Sequence, residues 1–129
     1  MRTDDRGFTL IELVIVTVIL GVLAAIAIPK FSSTKEKTYL ASMKSDLRNL
    51  LTAQEIYLSD EATYYDGAVP SAVLAYRVSS GVSITLSNVT VGGWAAVTSH
   101  GLTVKTCAVF MGTAPVTPPA IAEGQVRCS

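Results

Sequence analysis

An apolar run from Phe8 to Ile28 constrains this chain more than any other feature. It contains one charged side chain, Glu12, and two hydroxyl side chains, Thr9 and Thr17. Because about 20 predominantly apolar residues suffice for a helix to cross a membrane, the run predicts a membrane-spanning helix. An ionised carboxylate inside such a helix costs about 3 kcal/mol or more. We therefore expect Glu12 to lie in the head-group layer or to meet a positive charge, either in the membrane or in an assembly.

The residues that open the run, Gly7-Phe8-Thr9-Leu10-Ile11-Glu12, resemble the N-terminal signature of type IV pilins and of the related type II secretion pseudopilins. The resemblance extends from Arg6 to Phe31. It implies that a prepilin peptidase cuts between Gly7 and Phe8 and that the new N-terminus, Phe8, is N-methylated. It also implies that Glu12 pairs with the terminal amine of a neighbouring subunit and so sets the register of a filament.

Two other fates of the run remain open. The segment Ala25-Ile26-Ala27 has the small-x-small form of an ordinary secretory cleavage site, and an uncleaved single-pass anchor is the second alternative. Basic residues lie on both sides of the run: Arg2 and Arg6 before it, and Lys30, Lys35 and Lys37 after it. Their distribution weakly favours the membrane orientation opposite to that of a pilin.

Beyond Pro29 the pattern predicts that the helix continues as an amphipathic helix. Apolar and amide side chains recur at steps of three and four residues: Leu40, Met43, Leu47, Leu50, Leu51, Gln54 and Leu58. Charged residues are expected to face solvent or neighbouring subunits: Lys37, Lys44, Asp46, Arg48 and Glu55. A helix from Phe8 to Ser59 would be roughly 78 Å long, so its first half needs lipid or other copies of the chain to cover it.

Gly21 and Pro29 are the expected weak points of this helix. Proline lacks the backbone N–H and its ring clashes with the carbonyl of Ala25, which predicts a kink or a local break. The resemblance to pilins implies that the segment from Gly21 to Pro29 can lose its helical form in an assembled filament.

The C-terminal part predicts a small antiparallel β-sheet. Val82, Ile84 and Leu86 alternate with hydroxyl residues as in a half-buried strand, and a bulge or turn is expected at Ser87-Asn88 because the apolar residues then change parity. Further strands are predicted for residues 94–100 and 103–111, followed by an irregular surface loop at 112–123 and a short strand or tail at 125–128. The fold class is therefore α+β, a long N-terminal helix packed on a small antiparallel sheet. The predicted organisation is a leader at 1–7, a hydrophobic helix at 8–29, its amphipathic continuation at 30–60, a connecting loop at 61–81 and the sheet domain at 82–129.

The two cysteines, Cys107 and Cys128, predict one disulfide in an extracytoplasmic domain. Two free buried thiols are the alternative, and a metal site is disfavoured because two cysteines and one distant histidine do not form a tetrahedral set. In pilins such a disulfide encloses a variable, exposed region, which the resemblance places between Gly112 and Arg127.

Composition argues against several other functions. The chain has 10 basic and 10 acidic residues, so no nucleic-acid partner is expected. His100 is the single histidine, and no nucleophile and base can be assigned around it. We therefore expect no enzyme activity, no cofactor, no metal and no small-molecule substrate.

The resemblance implies the major subunit of a type IV pilus. Such a subunit is stored in the inner membrane and then assembled with copies of itself, by the pilus assembly machinery, into an extracellular filament for adhesion or motility. A type II secretion pseudopilin, forming a periplasmic pseudopilus, is the alternative, although such proteins commonly carry an acidic calcium-binding C-terminal loop and here Glu123 is the one acid between Gly112 and Ser129. A minor pilin that acts as a binding module at the filament tip is the second alternative.

Overall fold

The computed structural model describes residues 7–74 and 76–129. Of the predicted leader, everything before Gly7 lies outside the described residues. The elements in chain order are helix α1 (Leu10–Glu61) and strands β1 (Val82–Thr90), β2 (Gly93–His100), β3 (Thr103–Gly112) and β4 (Arg127–Cys128). The predicted α+β class is confirmed. The chain divides into two units, Met1–Lys35 and Glu36–Ser129, and we call the second unit the head.

Within the head, α1 presents one buried stripe to the sheet. Met43, Leu47 and Leu50 are fully buried, and Ala53 and Gln54 continue the stripe by one more turn. The spacing of three and four residues places them on one side of the helix, as predicted. Three other residues of the predicted stripe are only half-buried: Leu40, Leu51 and Leu58.

Asp46 differs from the prediction that it faces solvent, because its side chain is almost fully buried in the same stripe. Its Oδ2 accepts a hydrogen bond from the backbone N–H of Ser79 at 3.0 Å, and its Oδ1 accepts one from the Ser79 hydroxyl at 3.0 Å. A buried carboxylate is tolerated only when it is hydrogen-bonded. Ser79 therefore makes the burial of Asp46 possible, and the pair fixes the connecting loop to the helix.

The four strands form one antiparallel sheet in the order β1-β2-β3-β4. The register of β1 against β2 shifts between Ser87 and Thr90, and Asn88 adopts a φ of 51° there. This confirms the bulge predicted from the change of parity. The shift turns Val89 toward the core, so both halves of β1 contribute apolar residues to the same side.

The main core lies between α1 and one face of the sheet. The sheet contributes Ile84, Trp94, Ala96, Cys107 and Val109, which pack against the helical stripe. These side chains alternate along their strands with residues on the opposite face, as the strand pleat requires.

The opposite face of the sheet carries a second, smaller core. Ala95, Ala108 and Phe110 are buried there under Ala114 and Ala120, which belong to the proline-containing segment 112–123. The prediction of an irregular loop is correct, but the segment also covers the sheet. The small alanine side chains at both strand positions allow the covering chain to approach closely.

Gly93 and Gly112 are paired across β2 and β3 where the covering loop begins. Gly112 has a φ of +60°, and a Cβ atom there would collide with the carbonyl oxygen of Gly92. A Cβ atom on Gly93 would collide with the carbonyl oxygen of Met111. The tight turn into the covering loop therefore requires glycine at both positions.

Candidate functional site

The N-terminus of α1 is closed by a capping box formed by Thr9 and Glu12. The backbone N–H and the hydroxyl of Thr9 both donate hydrogen bonds to Oε2 of Glu12, at 2.8 Å and 2.7 Å. In return, the backbone N–H of Glu12 donates to the Thr9 hydroxyl at 3.3 Å. Thr9 is the N-cap because its carbonyl accepts the first helical bond, from the N–H of Leu13 at 3.3 Å. Such a box satisfies donors that the first turn would otherwise leave free.

The capping box supplies Glu12 with a partner inside its own chain. This partner differs from the head-group layer or the positive charge expected for Glu12, although the pattern Thr-x-x-Glu at the start of an apolar helix signals it. Both hydrogen bonds from Thr9 reach Oε2, and no hydrogen bond to Oε1 occurs among the described residues. The carboxylate is exposed, so Oε1 is open to a donor from another molecule.

The residues around Glu12 form an exposed apolar surface. Every residue from Gly7 to Lys35 is exposed, including the large side chains of Phe8, Leu10 and Ile11. By length and composition, α1 is long and apolar enough to cross a membrane. Exposing this surface to water costs roughly 25 cal/mol per Å², so covering it with lipid or protein would lower the free energy.

No steric contact within the chain accounts for glycine at Gly7 or Gly21, the two glycines of the N-terminal region. A Cβ atom added to Gly7 or to Gly21 would meet no atom within 4 Å, and neither has a positive φ. A glycine inside a helix costs about 1 kcal/mol relative to alanine. Within the described chain, a side chain at either position would therefore meet no steric obstacle.

Helix α1 is continuous through the expected weak points Gly21 and Pro29. Pro29 lies inside the helix and removes the hydrogen bond to the carbonyl of Ala25. The loss of helical form in an assembled filament remains a prediction.

The predicted disulfide between Cys107 and Cys128 is present. It joins directly paired residues of β3 and β4. Gly124 also donates its N–H to the carbonyl of Phe110 at 2.9 Å, and Glu123 accepts a hydrogen bond from the N–H of Gly112 at 2.7 Å. The covering loop and the C-terminal tail are thus held to the sheet at several points.

His100 is part of the packed structure of the head. Its ring stacks on Tyr39 of α1 with centroids 4.3 Å apart, and its Nδ1 accepts a hydrogen bond from the backbone N–H of Leu102 at 3.1 Å. Among the described residues, no group of three or more histidine, cysteine or acidic side chains is arranged to hold a metal ion.

Comparisons with known proteins match an N-terminal motif of the chain and, for individual relatives, about half of its length. Residues 2–28 match the family model of the prokaryotic N-terminal methylation motif. The type IV major pilin protein PilA of Myxococcus xanthus is 47% identical over 64 residues, which cover 50% of this chain and 29% of that protein. The type II secretion system core protein G of Pseudomonas aeruginosa is 36% identical over 63 residues, covering 49% of this chain and 44% of that protein.

A third relative, the type IV major fimbrial protein FimA of Dichelobacter nodosus, is 42% identical over 60 residues, covering 46% of this chain and 38% of that protein. The chain thus aligns with less than half the length of each of these relatives. The matched residues include the capping box, the apolar helix surface and both glycines without an internal steric role. This chain therefore carries the prokaryotic N-terminal methylation motif at residues 2–28 and, over about half of its length, is similar in sequence to type IV pilins and to a type II secretion core protein.

Proposed function

We propose that this chain is the structural subunit, and specifically the major pilin, of a type IV pilus. The observation that carries the proposal is the exposed apolar helix surface with one accessible carboxylate oxygen, Glu12 Oε1, near its start. In the membrane, lipid covers this surface. In the filament, the helices of other copies replace the lipid, and the filament is extracellular.

Glu12 gives the helix bundle its register. Cleavage between Gly7 and Phe8 frees an amine at Phe8, and a neighbouring subunit's amine is the donor that we assign to Glu12. An unmatched carboxylate in an apolar bundle is penalised, whereas a matched pair is tolerated. A subunit shifted along the bundle would leave its carboxylate unmatched, so one axial position is favoured.

Gly7 supports processing by an external enzyme. It is exposed, and a side chain there would meet no neighbouring atom in the folded chain. A prepilin peptidase that reads the residue before the cleaved bond accounts for a glycine here. The other partners that we propose are the inner membrane and the pilus assembly machinery.

The proposed role is structural and not enzymatic. The His100 ring stacks on Tyr39, and its Nδ1 accepts a hydrogen bond from the backbone N–H of Leu102. The chain has 10 basic and 10 acidic residues, so it lacks the excess of positive charge that favours a nucleic-acid partner. No cofactor and no small-molecule substrate are part of the proposal.

A type II secretion pseudopilin is the alternative, favoured by the similarity to the core protein G of that system. The C-terminal region supports the pilin instead. Glu123 is the one acid between Gly112 and Ser129, and it already accepts the Gly112 N–H. A minor pilin that acts at the filament tip is the second alternative, and the copy number of the chain in isolated fibres separates it from a major pilin.

The first test is to shear surface fibres from cells that express the chain and to identify the dominant protein by intact mass and N-terminal sequencing. We expect an abundant chain that begins at methylated Phe8 and carries the Cys107–Cys128 disulfide. Processed chain that stays in the cell envelope, with fibres made of another protein, would reject the major pilin in favour of the pseudopilin or the minor pilin.

The second test is the variant Glu12→Leu. We expect normal membrane insertion, because the variant is more apolar, together with a loss of at least 90% of the fibre yield, about 1.4 kcal/mol for each factor of ten. Thr17→Leu is the matched control, since Thr17 lies in the same run and its hydroxyl only returns to the carbonyl of Val14. Normal fibres from Glu12→Leu would refute the register role.

A further inference from the structure

We infer that neighbouring copies of the head contact each other head to tail, with the β2–β3 turn of one copy seated in a groove of the next. The inference rests on the proposed filament and names a second contact within it, outside the helix bundle. The inserting surface is Leu102 and Val104, which we call the turn patch. The receiving surface lies between the second half of the head helix and the connecting loop, and we call it the groove.

The groove is an open cavity of about 360 Å³ with mostly apolar walls. Its lining combines helix and loop residues: Asn49, Thr52, Ala53, Ile56, Tyr57, Asp60, Val73, Leu74 and Tyr76. Ile56 and Val73 are 58% and 59% exposed. A carboxylate, that of Asp60, is also part of the lining. The groove thus offers an apolar seat with one negative charge.

The turn patch has complementary properties. Leu102 is 72% exposed and Val104 is 98% exposed. Lys105 follows directly, and its Nζ lies 3.6 Å from Glu36 Oε1. The Thr103 hydroxyl also contacts this carboxylate, at 3.4 Å. The turn patch therefore lies beside the first helical residue of the head, and the Lys105–Glu36 ion pair lies next to its two exposed apolar side chains.

The charges of the head helix run from positive to negative along its length. The first part carries three basic residues, Lys37, Lys44 and Arg48, against two acids, Glu36 and Asp46, and Glu36 is paired with Lys105 of the sheet. The second part, from residue 49 onward, contains no basic residue and three acids: Glu55, Asp60 and Glu61. The helix C-terminus adds negative potential of its own, and no basic residue in the last turn offsets it.

The positive and negative ends of the head are about 36 Å apart along the helix, from Glu36 to Asp60 at 1.5 Å per residue. When copies are stacked in the same direction, the positive end of one meets the negative end of the next. Such a contact joins two different surfaces, so it repeats without closing, which is the geometry of a filament. Contacts between like ends would bring like charges together.

The contact surfaces are small, since a stable isolated interface buries about 1,200 Å² or more. We therefore expect the contact to form where packed N-terminal helices already hold the heads close together, because tethering raises the effective concentration. Other exposed apolar side chains of the head are Val91, Val116 and Ile121, which we call the second apolar group. The covering loop 112–123 that carries two of them has no basic residue, so this group lacks the cation that fits the groove.

The test is a pair of cysteine substitutions, Val73→Cys in the groove and Leu102→Cys in the turn patch, in fibres treated with a mild oxidant. A contact between different surfaces predicts a ladder of dimers, trimers and longer covalent oligomers on a non-reducing gel. Each single variant should remain at least 90% monomeric. Its one new cysteine would face the other surface of the neighbouring copy, and that surface carries no new cysteine. Efficient dimers from one single variant would overturn the head-to-tail arrangement.

Matched controls use the second apolar group. Val91 has the same 72% exposure as Leu102, and Val116 at 61% matches Val73 at 59%. The pairs Val73→Cys with Val91→Cys, and Val116→Cys with Leu102→Cys, should therefore give at least tenfold less ladder. Intact fibres in which the test pair gives no more ladder than the controls would overturn the contact while leaving the proposed pilin in place. Absence of the wild-type chain from surface fibres would reject the proposed function itself.

A charge variant tests the contact without new cysteines. Asp60→Lys adds a favourable charge to the helix C-terminus, so it should raise the unfolding temperature of the detergent-solubilised subunit. At the same time it should lower the temperature at which sheared fibres dissociate. Asp66→Lys is the control, an exposed acid outside the groove lining. Fibres of Asp60→Lys as stable as those of Asp66→Lys would overturn the role of the groove.

Discussion

Gln54 of the head helix and Tyr65 of the connecting loop are joined by two hydrogen bonds. Gln54 Nε2 donates to the carbonyl of Tyr65 at 3.0 Å, and the N–H of Tyr65 donates to Gln54 Oε1 at 2.8 Å. The amide of Gln54 is fully buried and satisfies both backbone groups of one residue, as a neighbouring strand would. This pair holds the first part of the loop to the helix, and the Asp46–Ser79 pair holds its last part.

We expect Gln54→Leu to lower the free energy of unfolding by about 1–3 kcal/mol, because two part-buried backbone groups of Tyr65 lose their partners and the new apolar side chain offsets part of that loss. Fluorescence of the buried Trp94 during thermal unfolding of the detergent-solubilised chain measures the change. Thr52→Val is the matched control on the same helix. It removes an exposed hydroxyl that donates a hydrogen bond to the carbonyl of Arg48, one turn earlier in the helix. Equal stability of the two variants would contradict the structural role of Gln54.

Local sequence patterns predicted the helix and the strands of this fold but not the long-range side-chain contacts between its segments. Met43, Leu47 and Leu50 could be placed in the core because their spacing matches the helical repeat. Asp46 lies on the same stripe, but its charge argued for solvent. Its partner, Ser79, is 33 residues away, and no local pattern reveals such a pair.

The covering loop and the capping box were missed for different reasons. Ala114 and Ala120 lie in a proline-containing segment without periodicity, so nothing in the pattern indicates that they are buried against the sheet. Thr9 and Glu12, in contrast, do have a recognisable pattern. The apolar run around Glu12 points to a partner outside the chain, whereas the pattern Thr-x-x-Glu points to a partner within it.

Tyr76 predicts a dependence of stability on alkaline pH. Burial, together with the negative charge of Asp46, raises the pKa of the Tyr76 phenol above its ordinary value. Since the folded state favours the protonated phenol, this stabilisation is complete below the unfolded pKa of about 10 and is lost as the pH rises through the raised pKa of the folded state. We expect Tyr76→Phe to make the unfolding temperature fall less steeply above pH 10 than in the wild type.

At neutral pH, Tyr76→Phe should change the free energy of unfolding by less than about 1 kcal/mol, because the buried hydroxyl has no hydrogen-bond partner among the described residues and its removal leaves no group unpaired. Identical alkaline profiles of the variant and the wild type would show that Tyr76 does not contribute to the pH dependence.

The disulfide predicts a strong effect on the abundance of the subunit. Strand β4 contains only Arg127 and Cys128, so few backbone bonds hold the tail once the covalent link is lost. Closing a loop of about 20 residues is worth on the order of 3 kcal/mol. We expect the double variant Cys107→Ala/Cys128→Ala, which leaves no free thiol, to accumulate at several-fold lower levels in the cell envelope and to lose its tail to proteases.

Ser129→Ala is the control for the disulfide variant. The Ser129 hydroxyl accepts a hydrogen bond from the N–H of Thr106 at 3.2 Å, so this variant weakens the tail without removing the disulfide. Its abundance should stay close to that of the wild type. Equal levels of the double variant and the wild type would mean that the backbone contacts alone suffice to hold the tail.

The capping box predicts that Thr9 contributes to assembly through Glu12. Thr9→Ala removes one of the two hydrogen bonds that hold Glu12 Oε2, the one from the hydroxyl, and costs about 1 kcal/mol at the helix N-terminus, so the orientation of the carboxylate is held only by the backbone N–H. Thr9→Ser retains the capping hydroxyl. We therefore expect the highest yields of sheared fibres from the wild type and Thr9→Ser, a lower yield from Thr9→Ala and the lowest from Glu12→Leu, while the amount of membrane-inserted chain stays constant.

A yield of Thr9→Ala equal to that of Thr9→Ser would show that the box plays no part in assembly. A yield of Thr9→Ala above that of the wild type would show that the box competes with the neighbouring amine for Glu12, because the same carboxylate serves both partners.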